Sequence, residues 1–190
     1  AAQFYGKGDH KGVRECFRFK LITVAVLAFL GILTFTVAGP VLIRLYLHED
    51  GSGSNAAATL LYAKQYMTVM LLDMIPFAIS QTYTGTLRET DETVLPMKAG
   101  ITAVLVNLVL NYVLIYGKFG MPAFGVVGAA IATVISRFVE MGIIVIWTHT
   151  HTERNHFIEG AYRHFEIPVA LMKQMTIKGF PLLANETLCA

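Results

Sequence analysis

Charge is scarce in this 190-residue chain: Asp, Glu, Lys and Arg together make up 15%, where soluble domains carry about 25%. With 55% hydrophobic residues, the shortfall excludes an ordinary water-soluble core and points to the lipid bilayer as the solvent. Cysteine is nearly absent. Cys16 and Cys189 make no CxxC pair and are too few for a disulfide framework. No Lys/Arg tract with interleaved aromatics accompanies the net charge of +2, so no nucleic-acid partner is expected. The chain also lacks HExxH, GxSxG and a phosphate-binding loop, and no nucleophile stands with a base, which disfavours a membrane-embedded enzyme. AAQFYGKGDH opens without an initiator Met or a signal-peptide pattern, and LLANETLCA stops inside an apolar run. An interior fragment is therefore expected, with the missing remainder of the same chain as its natural partner.

What is present is a series of long apolar segments. About 20 helical residues cross a bilayer core of about 30 Å. Residues 21–43, 66–87, 99–116 and 124–147 satisfy that length, and residues 167–190 begin another segment. Helices are expected throughout, because an isolated strand leaves its backbone polar groups unsatisfied in lipid. The connections carry turn residues, as in HEDGSGSN and GKFGMPAFG. Alternating sides place Lys7, Lys11, Arg14, Arg18, Lys20, Arg88, Lys98, Arg154 and Arg163 together, against Arg44, Lys64 and Lys118. The positive-inside rule then puts the first side in the cytoplasm.

Several polar side chains interrupt the apolar runs. Asn107 and Asn111 lie four residues apart, on one helix face. Two readings stand: interhelical glue, worth about 0.6 kcal/mol per bond, or the lining of a wet ligand path. Asp73 precedes Pro76, whose missing N–H frees the Leu72 carbonyl; a kink holding water and a cavity-lining acid are the alternatives. Arg137 and Glu140, at i and i+3, are spaced to neutralise each other. Gly125, Gly128, Ala129, Ala132 and Thr133 form a small-residue face that permits close helix approach. Glu186 follows Pro181 in the last run, where a carboxylate pairs, protonates, binds a cation or is solvated at the interface. The histidines of THTHTERNHFIEG lack metal-ligand spacing, so a solvated loop is expected there.

Four stretches, AAQFYGKGD, TGTLRETDETVLPM, NLVLNYVLIYGKFGMPAFGVVGAAIATVISR and GFPLLANE, together resemble the multidrug and toxic compound extrusion (MATE) family, closest to its NorM- and DinF-like bacterial members. The resemblance runs along essentially the whole chain. It implies an all-α, polytopic membrane helix bundle, part of a twelve-helix transporter built as two lobes. On that basis residues 1–148 run from the loop after the second family helix through the sixth helix of the amino-terminal lobe. Residues 149–166 are the cytoplasmic interlobe loop, and residues 167–190 start the seventh helix. The resemblance further implies export of small organic, often cationic, molecules in exchange for Na+ or H+, by alternating access in a bacterial cytoplasmic membrane. No cofactor beyond the coupling ion is implied. Asn107 matches a family Asn, Thr133 matches a family Thr, and Asn111 stands where some members carry an acid. Glu186 matches a glutamate of a carboxy-terminal-lobe cation site. Asp73, Arg137 and Glu140 are further candidates for cavity lining. The alternative within the superfamily is a lipid-linked oligosaccharide flippase. Such a flippase would carry a more cationic cavity, whereas Arg137 is the one Arg inside a complete span.

Overall fold

The structure, a computed structural model, describes residues 1–49, 56–117, 120, 122–162 and 177, with side chains at 40, 42–49 and 56–60 excepted. Every regular element among the described residues is helical: α1 Ala2–Tyr5, α2 His10–Glu49, α3 Ala56–Glu89, α4 Val94–Tyr116, α5 Gly125–Thr150 and a 3-10 turn at His156–Ile158. The expected segment 167–190 lies outside the described residues. Three described helices are long and apolar enough to cross a membrane, at His10–Gly39, Val94–Tyr116 and Gly125–Thr150. α3 has the length but is not among them. Its apolar run is interrupted throughout, by Lys64, Gln65, Asp73 and Gln81 and by Ser80, Thr82, Thr84 and Thr86, whose side chains are buried. Thr82 and Thr86 donate to the Ala78 and Thr82 carbonyls at 3.0 and 2.9 Å, so these hydroxyls are satisfied within their own helix.

The connections explain the chain reversals. α4 ends at Gly117, whose φ of 64° and N–H bond to the Val113 carbonyl make a left-handed cap that glycine adopts without cost. Between α3 and α4 the chain turns at Asp91, also at φ 64°, a conformation Asp tolerates better than most residues.

The helices pack in the order α2, α3, α5, α4, and α3 scarcely touches its sequence neighbour α4. Small residues set the α4–α5 approach. A Cβ at Gly128 would stand 2.8 Å from the Leu114 carbonyl oxygen, so only glycine fits this crossing. The flanking helices leave large apolar side chains open, among them Val37 on α2 and Leu108 on α4. Extensive apolar exposure of this kind marks a surface that meets lipid or other protein.

The tight core lies elsewhere, at the end where α3 stops and α5 stops. Val13 and Phe17 of α2, Tyr83 and Leu87 of α3, Leu95 and Ala99 of α4 and Ile144 of α5 gather there with Phe157, Ile158 and Ala161. This corrects the solvated loop expected after α5. The segment through residue 162 folds back onto α2, because Phe157, Ile158 and Ala161 together form an apolar face. Arg18 clamps it, donating to the Ala161 and Gly160 carbonyls at 2.7 Å each. Asn155, also buried, donates to the His151 carbonyl at 3.0 Å.

Candidate functional site

Residues 107, 111 and 133 meet at the α4–α5 interface. The i, i+4 spacing aligns the two amides along α4, and Asn111 Nδ2 donates to Asn107 Oδ1 at 2.8 Å. Asn107 Nδ2 in turn points across to α5, 3.4 Å from both Thr133 Oγ1 and Ser136 Oγ. These two bonds are long and correspondingly weak. The hydroxyl protons are used locally: Thr133 donates to the Ala129 carbonyl at 3.0 Å and Ser136 to the Thr133 carbonyl at 2.7 Å. Both oxygens therefore act as acceptors toward Asn107.

The result is a directional relay, from Asn111 through Asn107 to two hydroxyls. Its far end is open. Asn111 Oδ1 is buried and has no hydrogen-bond partner among the described residues. A buried carbonyl oxygen without a donor is costly, by about 1–3 kcal/mol. It is also an acceptor only, so what completes it is an N–H, an O–H or a cation.

A second polar cluster joins α3 to α5. Arg137 Nη1 lies 3.0 Å from Glu140 Oε2, realising the i, i+3 pair read from the sequence. Arg137 Nε also reaches to within 4.0 Å of Asp73 Oδ2 on α3, and its guanidinium sits 5.3 Å from the Phe77 ring centre. Asp73 Oδ1, like Asn111 Oδ1, is buried without a hydrogen-bond partner among the described residues. Pro76, one turn on, is buried inside α3. Glu140 forms part of the wall of a cavity of about 490 Å³, with Gln81, Thr84 and Arg88 of α3 and apolar residues of α4. Glu186 lies outside the described residues, so the structure brings together six of the seven residues singled out, as two neighbouring clusters along one face of α5, one reaching α4 and the other α3.

Ser136 was missed by sequence reasoning, although it stands three residues after Thr133 and so shares its face. The Asp73–Arg137 pairing was missed as well. The histidines disperse to separate neighbours: His149 stacks on Tyr162, His151 on Trp147, and His156 lies beside His10.

Comparison with known proteins adds an independent line. The family model MatE matches residues 1–113. A probable multidrug resistance protein NorM of Thermotoga maritima is 34% identical over 144 residues, covering 75% of this chain and 29% of that protein. Proteins of the same description from Agrobacterium fabrum and Shewanella oneidensis are each 26% identical. They align over 82% and 95% of this chain, and over 32% and 38% of their own lengths. The chain thus spans well under half of the curated relatives it matches. No solved structure matches it.

Proposed function

Because this chain belongs to the MatE family, we propose that it forms part of a secondary transporter that exports small organic molecules, including cationic ones, in exchange for Na+ or H+. The names of its relatives, probable multidrug resistance proteins, support this substrate class. One observation carries the site assignment: Asn111 Oδ1, buried and unpartnered, ends the amide relay with an acceptor and no donor. Asn107, Asn111 and Thr133 line a polar path where the coupling cation or a donor group of the substrate completes that oxygen. Glu186 supplies a carboxylate to a second cation position, and Asp73 and Glu140 are cavity-lining carboxylates beside Arg137. The basic residues at the Arg18 and Arg88 end support a cytoplasmic side for that end, in a bacterial inner membrane.

In this mechanism the lobes alternate between outward and inward openings. Cation binding shifts the balance only through unequal affinity for the two states. The amide relay supplies such a difference if α4 and α5 separate or slide between states, because the two 3.4 Å bonds from Asn107 are the first to break. Apolar walls hold the body of the substrate while few polar groups orient it.

Dye efflux by cells making the full-length protein tests the reading. Wild type is expected to clear dye in a Na+- or pH-dependent manner, and Asn107→Ala and Glu186→Gln to lose that dependence at equal expression. Wild-type efflux in both variants rejects the site.

A further inference from the structure

The two polar networks share one helix. Thr133 and Ser136 of α5 receive Asn107 of α4. One turn after Thr133, on the same face, Arg137 engages Glu140 of its own helix and Asp73 of α3 and lies against the Phe77 ring. We propose that Arg137 is a positioning residue: by tying α5 to α3, it sets the rotation of α5 that presents Thr133 and Ser136 to Asn107. The inference rests on the transporter reading only for its functional meaning, since its geometry stands alone.

The scale of motion supports the link. Side-chain atoms lie about 5–6 Å from a helix axis, so a rotation of about 20° moves them by about 2 Å. The contacts from Asn107 already stand at 3.4 Å, beyond the usual range of such bonds. They have no slack for a turn of that size. Ser136 and Arg137 are adjacent in the chain, so a restraint on one is a restraint on the other.

The chemistry of the guanidinium suits the task. Nη1 serves Glu140, Nε faces Asp73 and the guanidinium carbon sits 5.3 Å from the Phe77 ring centre. One planar group thus meets partners on its own helix and on α3. A lysine ammonium is a point charge and reproduces none of this geometry, only the charge. Asp73 and Glu140 are largely buried, at 14% and 15% side-chain exposure, where charge-assisted contacts are strengthened by the low dielectric. Arg137 therefore holds α5 against both rotation and sliding relative to α3.

The test reads the α4–α5 geometry directly. In full-length protein with Cys16 and Cys189 replaced by serine, the pair Asn107→Cys and Thr133→Cys is joined by a short bifunctional thiol reagent in native membranes. Cross-linking is expected to be efficient with Arg137 in place, to fall severalfold in Arg137→Gln and Asp73→Asn, and to recover only partly in Arg137→Lys. Melting temperature is followed in parallel. A merely structural Arg137 lowers it without changing cross-linking in the folded fraction, and that result overturns the proposal. Asp73→Asn, nearly isosteric, keeps the test open if Arg137→Gln does not fold. Failure of the transporter reading shows instead as wild-type efflux in Asn107→Ala, with the cross-linking pattern unaffected.

Discussion

The two ends of the polar story are built in opposite ways. Where α2, α3 and the segment after α5 meet, Phe17 stacks edge-on with Tyr83 and packs on Phe157, with ring centres 5.1 and 5.4 Å apart. Arg18 bonds two carbonyls there and Tyr83 bonds Tyr162, while Arg14 Nε is buried without a partner among the described residues. Midway along α4 and α5 there are no aromatic stacks among the amides, the bonds across the interface are long, and an amide oxygen is left open. The first region is a fastening and the second an unfilled acceptor. On the proposed function, stability concentrates in the one and the response to a ligand in the other.

That division can be attacked from both sides. Phe157→Ala removes a side chain that is 2% exposed and is expected to cost about 3–5 kcal/mol, seen as a large drop in melting temperature in detergent or nanodiscs. Gly128→Ala forces a Cβ against the Leu114 carbonyl at 2.8 Å. The expected cost is about 1–3 kcal/mol, together with weakened Asn107–Thr133 cross-linking. Arg18→Gln loses charge-assisted bonds to Gly160 and Ala161, with an expected loss of about 1.5–3 kcal/mol. Hydrogen exchange should rise in residues 155–162 and not at the α4–α5 interface. Asn107→Ala is expected to cost only about 0.6 kcal/mol, yet to remove the cation dependence of transport. If Asn107→Ala destabilised as much as Phe157→Ala, the contrast would collapse.

The helices were largely legible because apolar runs of spanning length leave the backbone few alternatives in lipid. Residues 99–116 fall within α4, Val94–Tyr116, and residues 124–147 cover α5, Gly125–Thr150, up to its last three residues. The start of α2 was less legible: the turns carrying Lys11, Arg14, Arg18 and Lys20 are polar in sequence, but form the amphipathic base on which the end core rests. Asn107 and Asn111 were legible as a pair because a four-residue spacing fixes one face. Ser136 gave too little signal, since a lone hydroxyl in a helix satisfies itself locally, as it does here with the Thr133 carbonyl. Asp73 with Arg137 required knowing that α5 packs beside α3 and displaces α4, a non-neighbour arrangement that local spacing does not encode. The docking of Phe157 and Ile158 was hidden among His, Glu and Arg residues that give the segment a polar average.

The most direct measurement is the coupling-cation dependence of dye efflux in Asn111→Ala, beside wild type at matched expression. An open oxygen that takes the cation or a donor predicts that the variant folds, reaches the membrane and needs far more cation for half-maximal efflux. An unchanged cation requirement in a folded Asn111→Ala protein contradicts the account.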